Sequence, residues 1–327
     1  MLNAERGMDS LSQALLVYLR REWRLPLLEY QSLPKPIVGG FETSIFEFQL
    51  RGASGDLSGR LILRLFRGGY EAGRALRESV VQNTVSATGY PAPRVFLTCL
   101  DESVLGGEFN VMEKMPGKPM LENPSERLPE TLGRIHAALH QIDPNPLKRM
   151  LEAQGIDERR FSLQGLFNWI RGRIDSAGYD WLRPGMDWLD ENRPEIGRVA
   201  ICHGDFHPLN ILMKDEKVSG VLDWSGFRIT DPALDVAFTK VIISIPAPVL
   251  VSGFVSEEFV ERYLSAYQRE LPVSHESLEY FEALRCVMAL LEGADGQVVW
   301  RHPDILTQVL EHLWACAGLR IKRPSYS

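Results

Sequence analysis

The 327-residue sequence contains no Cys-x-x-Cys pair, and its four cysteines, Cys99, Cys202, Cys286 and Cys316, stand far apart. That spacing argues against a disulfide scaffold or a thiolate zinc site and for free thiols in a reducing cytoplasm. The N-terminus lacks a basic segment followed by an unbroken apolar run, so it does not read as a signal peptide. Its Leu11, Leu15, Leu16 and Leu19 read instead as the packed stripe of a helix. The most apolar stretch, VIISIPAPVLVSGF at 241–254, holds Pro246 and Pro248 and is too short for a membrane span. It reads as a loop or helix break inside a packed lobe. Basic residues are in deficit, 36 Lys plus Arg against 43 Asp plus Glu, for a net charge of -7. This balance argues against general nucleic-acid binding. A nucleotide stays possible, because a few local cations and a metal ion override a weak global field. Neither repeats nor low-complexity tracts occur. The chain is expected to be cytoplasmic, with neither nucleic acid nor membrane as a partner.

What is present is enough apolar material for two lobes. IFEFQL at 45–50 and RLILRLF at 60–66 alternate as sheet strands, joined by the turn RGASGDLSG. GYEAGRALRESVVQNTVSATG contains a helix ending near Gly89, and PAPRVFL and EFNVMEKM read as two further strands. MPGKPMLENP at 115–124 interrupts regular structure and divides lobe 1–115 from lobe 116–327. Beyond it Leu128, Leu132, Ile135 and Leu139 form one helical stripe, with Ser125 or Asn123 near its start. Further helices are expected within 161–176, 232–243, 255–269, 275–292 and 301–317. The fold class is α+β, a small antiparallel-sheet lobe followed by a larger, mainly helical one.

The chemistry concentrates in two segments, VAICHGDFHPLNILM at 199–213 and SGVLDWSGFRITDPALD at 219–235. Each runs from an apolar strand directly into polar residues. Asp205 and Asn210 are five positions apart, and Asp223 ends the next strand. Strands fix where acidic groups stand while loops let them converge, which is how oxygen ligands hold Mg2+ and orient phosphates. Asp205 suits the acceptance or orientation of a hydroxyl proton, and Asn210 and Asp223 suit Mg2+. An Asx-rich turn with Asp223 as its cap is the plainer alternative. His207 reads as a shaping residue. His136 and His140 share a helix side with AAL between them, so they are not an HExxH zinc motif and read as structural or exposed. Asp231 and Pro232 suit a helix opening.

HGDFHPLN at 203–210, LDW at 222–224 and DPALD at 231–235 together resemble the aminoglycoside phosphotransferase-like family, within the protein-kinase-like small-molecule phosphotransferases. The resemblance implies a bilobal protein-kinase-like fold using ATP and Mg2+, with GTP as the alternative donor. It makes Asp205 the catalytic base, Asn210 and Asp223 the metal ligands, His203 the loop-shaping histidine and Asp235 a structural support. Leu209 and Thr230 stand where the family often has glycine. In the first lobe, Gly39, Gly40 and Ser44 in IVGGFETSIFEF resemble a phosphate-covering hairpin, though not the G-x-G-x-x-G pattern, and an ordinary turn is the alternative. Arg64 resembles the strand cation that contacts phosphates and pairs with a helix glutamate, here Glu78, with Arg67 as the competitor. Glu113, Lys114 and Met115 resemble the hinge beneath adenine. The expected acceptor is a hydroxyl of a small molecule, an aminoglycoside or other amine-bearing compound among the candidates, with Glu292, Asp295, Asp304 and Glu311 available to attract an amine. A catalytically weak nucleotide-binding or regulatory module is the rival reading.

Overall fold

The structure, a computed structural model, describes residues 2–37, 43–66, 72–123 and 125–322. The chain divides into two compact units, Met1–Gly117 with Ser219–Leu222, and Lys118–Val218 with Asp223–Ser327.

In the first unit, helix α1 (Leu2–Glu22) precedes strands β1 (Glu29–Pro36), β2 (Ser44–Arg51) and β3 (Arg60–Phe66). Helix α2 (Arg74–Ser86) and strands β4 (Val95–Cys99) and β5 (Glu108–Glu113) complete it. The sheet order is β1-β2-β3-β5-β4, and every pair is antiparallel. Alternation explains the core: Phe46, Phe48 and Leu50 of β2 and Leu61, Leu63 and Leu65 of β3 are buried with Leu11, Leu15 and Leu19 of α1. Strand β1 escapes sequence reading because Pro34 and Pro36 argue against a strand, yet proline is tolerated at a sheet edge, where β1 lies. Side chains of β5 fix α2 in place. Glu108 caps its start, accepting from the N–H groups of Gly73 (2.5 Å) and Ala75 (3.1 Å), and Asn110 donates to Ala75 C=O at 3.0 Å. At the other end Asn83 exchanges two bonds with the Val95 backbone, 3.0 and 2.8 Å.

The second unit begins with β6 (Lys118–Pro119) and helices α3 (Leu128–His140), α4 (Asn145–Ala153), α5 (Leu163–Ala177) and α6 (Arg183–Glu191). Strands β7 (Ala200–Cys202), β8 (Ile211–Lys214), β9 (Lys217–Val221, of which Ser219–Val221 belongs to the first unit) and β10 (Arg228–Thr230) follow, then α7 (Pro232–Ser244) and α8 (Pro246–Leu250). The last elements are α9 (Ser256–Glu270), α10 (His275–Ala294), α11 (Val298–Arg301) and α12 (Pro303–Ala317). Helix α3 packs on α9, and α10 packs on α7 and α12. Neither Ser125 nor Asn123 caps α3, whose first turn instead carries Pro129. The helical stripe of α3 is also rotated from expectation: Ile135 is half-buried while His136 and His140 are fully buried. The run Pro232–Leu250 is long and apolar enough to cross a bilayer by length and composition alone. It is two helices meeting at Ile245–Pro246, and Leu234, Val236, Ala237 and Val241 are buried inside the unit.

Candidate active site

Strands β7 and β10 pair antiparallel, Cys202 opposite Arg228 and Ala200 opposite Thr230, so the loop that follows β7 lies beside the turn that enters β10. Asp231 caps α7 by accepting from Ala233 N–H at 2.8 Å, which seats Asp235 in the first turn. The Asp235 carboxylate, fully buried, accepts from the backbone N–H groups of His203 (2.5 Å) and Gly204 (2.8 Å). Gly204 has φ +83, and a Cβ there would lie 2.1 Å from Gly226 C=O, so only glycine lets the loop at 203–210 lie against the turn after Asp223. Thr239 of α7 adds a hydroxyl bond to Phe206 C=O at 2.6 Å.

The same carboxylate takes two ring bonds, from His136 Nε2 (3.0 Å) and His140 Nε2 (3.2 Å). A carboxylate only accepts, so both rings carry their proton on Nε2, and their Nδ1 atoms accept from Tyr263 (2.8 Å) and Tyr267 (2.7 Å) hydroxyls. Burial alone would raise the Asp235 carboxyl, but the two imidazoles outweigh it and hold it well below its usual value. Burial, reinforced by His140, pushes His136 down to about 4, so this ring is neutral at ordinary pH. The tyrosines reach the histidines because α9 lies unusually near α3. A Cβ on Gly133 would come 2.5 Å from Tyr263 C=O. His136 also stacks on Phe206, centroids 3.9 Å apart, tying this network to the loop it supports.

Asp205 stands at the other, solvent-facing side of the loop, its side chain 43% exposed. Asn210 Nδ2 donates to the Asp205 backbone oxygen (3.0 Å) and to Oδ2 (3.1 Å), and His207 Nε2 lies 3.3 Å from that Oδ2. Burial works to raise the Asp205 carboxyl, yet the His207 ring overrides it and leaves it below the usual value. His207 is opposed by burial too, and Asp205 raises it all the same. Asp223 acts on both groups, which places its charge in the same site. Asp223 has φ +61, a left-handed conformation that costs a non-glycine residue roughly 1 kcal/mol or more. With Asn210 Nδ2 spent on Asp205, its Oδ1, like the Asp223 carboxylate, is a hard oxygen donor of the type Mg2+ takes.

In the first unit the structure brings Arg64 and Glu78 together, Nη1 to Oε2 at 3.0 Å, both side chains nearly buried. Arg74 Nε holds the other Glu78 oxygen at 3.0 Å, and both guanidinium groups lie over the Phe66 ring. Sequence reasoning passed over Arg74, although its i,i+4 spacing to Glu78 on one helix was a usable signal. Ser44 opens β2 opposite Leu65. The N–H groups of Glu113 and Lys114 are engaged by Arg94 and Arg60 carbonyls, and Met115 follows, half-buried. Gly39, Gly40 and Arg67 lie outside the described residues.

Of the acidic residues considered for an amine, Glu292 stands near enough to Asp205 for the two charges to interact, but Arg285 pairs with it at 3.1 Å. Asp295 is held by Arg173 at 2.6 Å, and Asp304 and Glu311 are exposed. Neither carboxylate whose pairing is seen offers an uncompensated charge. The largest omission from sequence reasoning is the buried network. Its signal was two matching spacings, His136 to His140 and Tyr263 to Tyr267, each one turn apart on helices that prove to face each other.

Residues 35–277 match the model of a family described as "Phosphotransferase enzyme family". Acyl-CoA dehydrogenase family member 11 of Pongo abelii is 30% identical over 219 residues, 59% of this chain but 27% of its own length. The chain thus spans about a quarter of these relatives. An aminoglycoside 3'-phosphotransferase of Streptomyces fradiae is 28% identical over 206 residues, covering 60% of this chain and 73% of the relative. Among solved structures, a thermostable mutant of aminoglycoside phosphotransferase APH(4)-Ia, in ternary complex with AMP-PNP and hygromycin B, superposes with TM-score 0.61. It shares 17% identity and covers 93% of this chain and 98% of its own, so the shared fold is the protein-kinase-like one.

Proposed function

We propose, from the premise that this chain belongs to the phosphotransferase enzyme family, that it transfers the γ-phosphate of ATP to a hydroxyl of a small molecule with the help of Mg2+. The observation that carries the reading is the Asp205 site: an ionised, half-exposed carboxylate aimed by Asn210 and His207 on a loop anchored from beneath by Asp235. Asp205 orients the acceptor hydroxyl and takes its proton as the oxygen attacks. His207 holds Oδ2 in place and favours the charged carboxylate. Asn210 and Asp223 would hold Mg2+, which when bound neutralises polyphosphate charge. Arg64, paired with Glu78 and lying over Phe66, is the cation for the nucleotide phosphates. Gly39, Gly40 and Ser44 are the proposed covering turn, and the backbone near Glu113 and Met115 the adenine edge. ATP as donor is supported by the AMP-PNP complex of the structural relative. The arginine-paired Glu292 and Asp295 give no special support to a polyamine, so the acceptor class stays a hydroxyl compound.

The test is incubation of the purified protein with ATP, Mg2+ and a hydroxyl panel, read by mass spectrometry. The panel takes amino sugars, amino alcohols and nucleosides, and hydroxyacyl thioesters because of the acyl-CoA relatives. A product that Asp205→Asn suppresses supports the reading. Mg-ATP binding with no phosphorylated acceptor would favour the nucleotide-binding module instead, and absence of Mg-ATP binding would sink both.

A further inference from the structure

A second group of ligand-type side chains lies away from the catalytic loop, where α10 meets α12. His312 and Cys316 are one turn apart on α12 and therefore share a face. Glu282 of α10 meets them, His312 Nε2 lying 2.7 Å from Glu282 Oε2. One ligand atom from each of Glu282, His312 and Cys316 lies within 4.8 Å of the others. The Glu282 side chain is buried, His312 is 27% exposed, and Cys316 is the one cysteine of the four that is not buried. The cluster is thus rooted in the core and reached from solvent through α12. Lys240 of α7 sits 2.5 Å from Glu282 Oε1, which occupies that oxygen and leaves Oε2 turned toward His312.

We propose that Glu282, His312 and Cys316 form a binding site for a soft-accepting divalent metal, Zn2+ foremost, with water as the fourth ligand. A mixed oxygen, nitrogen and sulfur set is one that Mg2+ and Ca2+ do not take, whereas thiolate and imidazole select Zn2+. Tetrahedral Zn2+ with bonds of about 2.0–2.3 Å separates its ligand atoms by about 3.3–3.8 Å. The three ligand atoms, all within 4.8 Å of one another, are close enough for one ion to reach each of them. The 2.7 Å His–Glu contact must open by somewhat under an ångström, a movement that side-chain torsions supply. On binding, the thiol proton and the proton that His312 Nε2 shares with Glu282 both leave to solvent. Lys240 offsets one of the two ligand charges, so the site keeps a net negative balance for a dication. Cysteine spacing along the chain argues against a thiolate site; it is blind to this one, which uses a single thiolate and partners from two helices. The other buried trio, His136, His140 and Asp235, does not qualify: its ring nitrogens and carboxylate are already spent on the tyrosines and the loop.

The site is tested on the chelator-treated full chain by calorimetric titration with Zn2+ and by the absorption of the Co2+ form. The expected result is one equivalent bound and a near-ultraviolet thiolate-to-cobalt band. Cys316→Ser should remove the band. Cys316→Ser and His312→Ala should each weaken binding at least about tenfold, since loss of an outer-shell partner alone costs that much. Circular dichroism confirms that each variant is folded, and His312→Gln serves if His312→Ala is not. Excess Mg2+ should leave Zn2+ bound. Absence of stoichiometric binding, a Co2+ spectrum without a thiolate band, equal affinity in the variants, or displacement by Mg2+ would each overturn the proposal. None of these readouts depends on phosphotransfer.

Discussion

Asp235 and Asp205 are two carboxylates serving one loop, and their surroundings are opposite. Asp235 is fully buried, and its oxygens receive two backbone N–H groups and two imidazoles. Asp205 is 43% exposed, and its carboxylate is met by Asn210 and His207 of its own loop. A buried charge is tolerated only when hydrogen-bonded throughout, and that full satisfaction gives it a single geometry. A partly exposed carboxylate keeps lone pairs for an incoming group. The difference teaches a division of labour: one acid defines where the loop stands, and the other is left with capacity to act.

Exchanging each acid for its amide separates the two. Asp205→Asn should lower kcat roughly 10^2–10^4-fold, the usual contribution of a positioned general base. Its thermal midpoint should hardly move, because a pair this exposed contributes about 0–1 kcal/mol. Asp235→Asn should do the reverse in emphasis. Its amide group would point N–H at N–H, and losing one partner of a buried charged network costs about 3–5 kcal/mol. The midpoint should fall by roughly 4–7 °C for a chain of this size, with activity lost alongside. The comparison breaks if Asp235→Asn melts like the parent, or if Asp205→Asn unfolds.

Acid sharpens the same contrast. His136 is held neutral with its pKa near 4, against 6.5 for the free group. Between those values the unfolded chain binds more protons than the folded one, so stability is intact above pH 6.5 and falls as pH drops toward 4. At about 1.4 kcal/mol per unit the loss is on the order of 3 kcal/mol. Asp235, also depressed, adds loss in the same direction at lower pH. Denaturant melts from pH 7 to pH 4 should show a shallower decline in His136→Gln than in the parent. Identical slopes would remove His136 from the anchoring role.

Much of this was legible in the chain. Period-two alternation placed β2 and β3, and the strand-to-acid pattern drew attention to Asp205, Asn210 and Asp223 because each follows closely on a strand. Arg64 called for a buried partner, and α2 supplies Glu78. What stayed hidden depends on packing between distant elements. His136 gave no sign of its Asp235 bond, formed across 99 positions. Edge strand β1 was masked by its prolines. The short helices α4 and α6 lacked the long periodicity that marks α5, α9 and α10.

Gly133 offers the finest test, because it controls the network without belonging to it. In an exposed helix, Gly→Ala would stabilise by roughly 1 kcal/mol through helix propensity. Here the added methyl meets backbone on the facing helix, 2.5 Å from Tyr263 C=O and 2.9 Å from Tyr267 N, and neither atom can turn aside as a side-chain end can. Helix α9 must move away, by enough to lengthen the tyrosine bonds to His136 and His140, now 2.8 and 2.7 Å. Overpacking of this kind costs about 1–3 kcal/mol, so the net change should be destabilising despite the propensity gain. If the network aims the loop, kcat should fall in Gly133→Ala by more than the fraction unfolded accounts for, while Asp205→Asn in the same background should add little further loss. A Gly133→Ala protein of equal or greater stability would mean that α3 and α9 are not held at this separation, and the anchoring half of the comparison would lose its geometric basis.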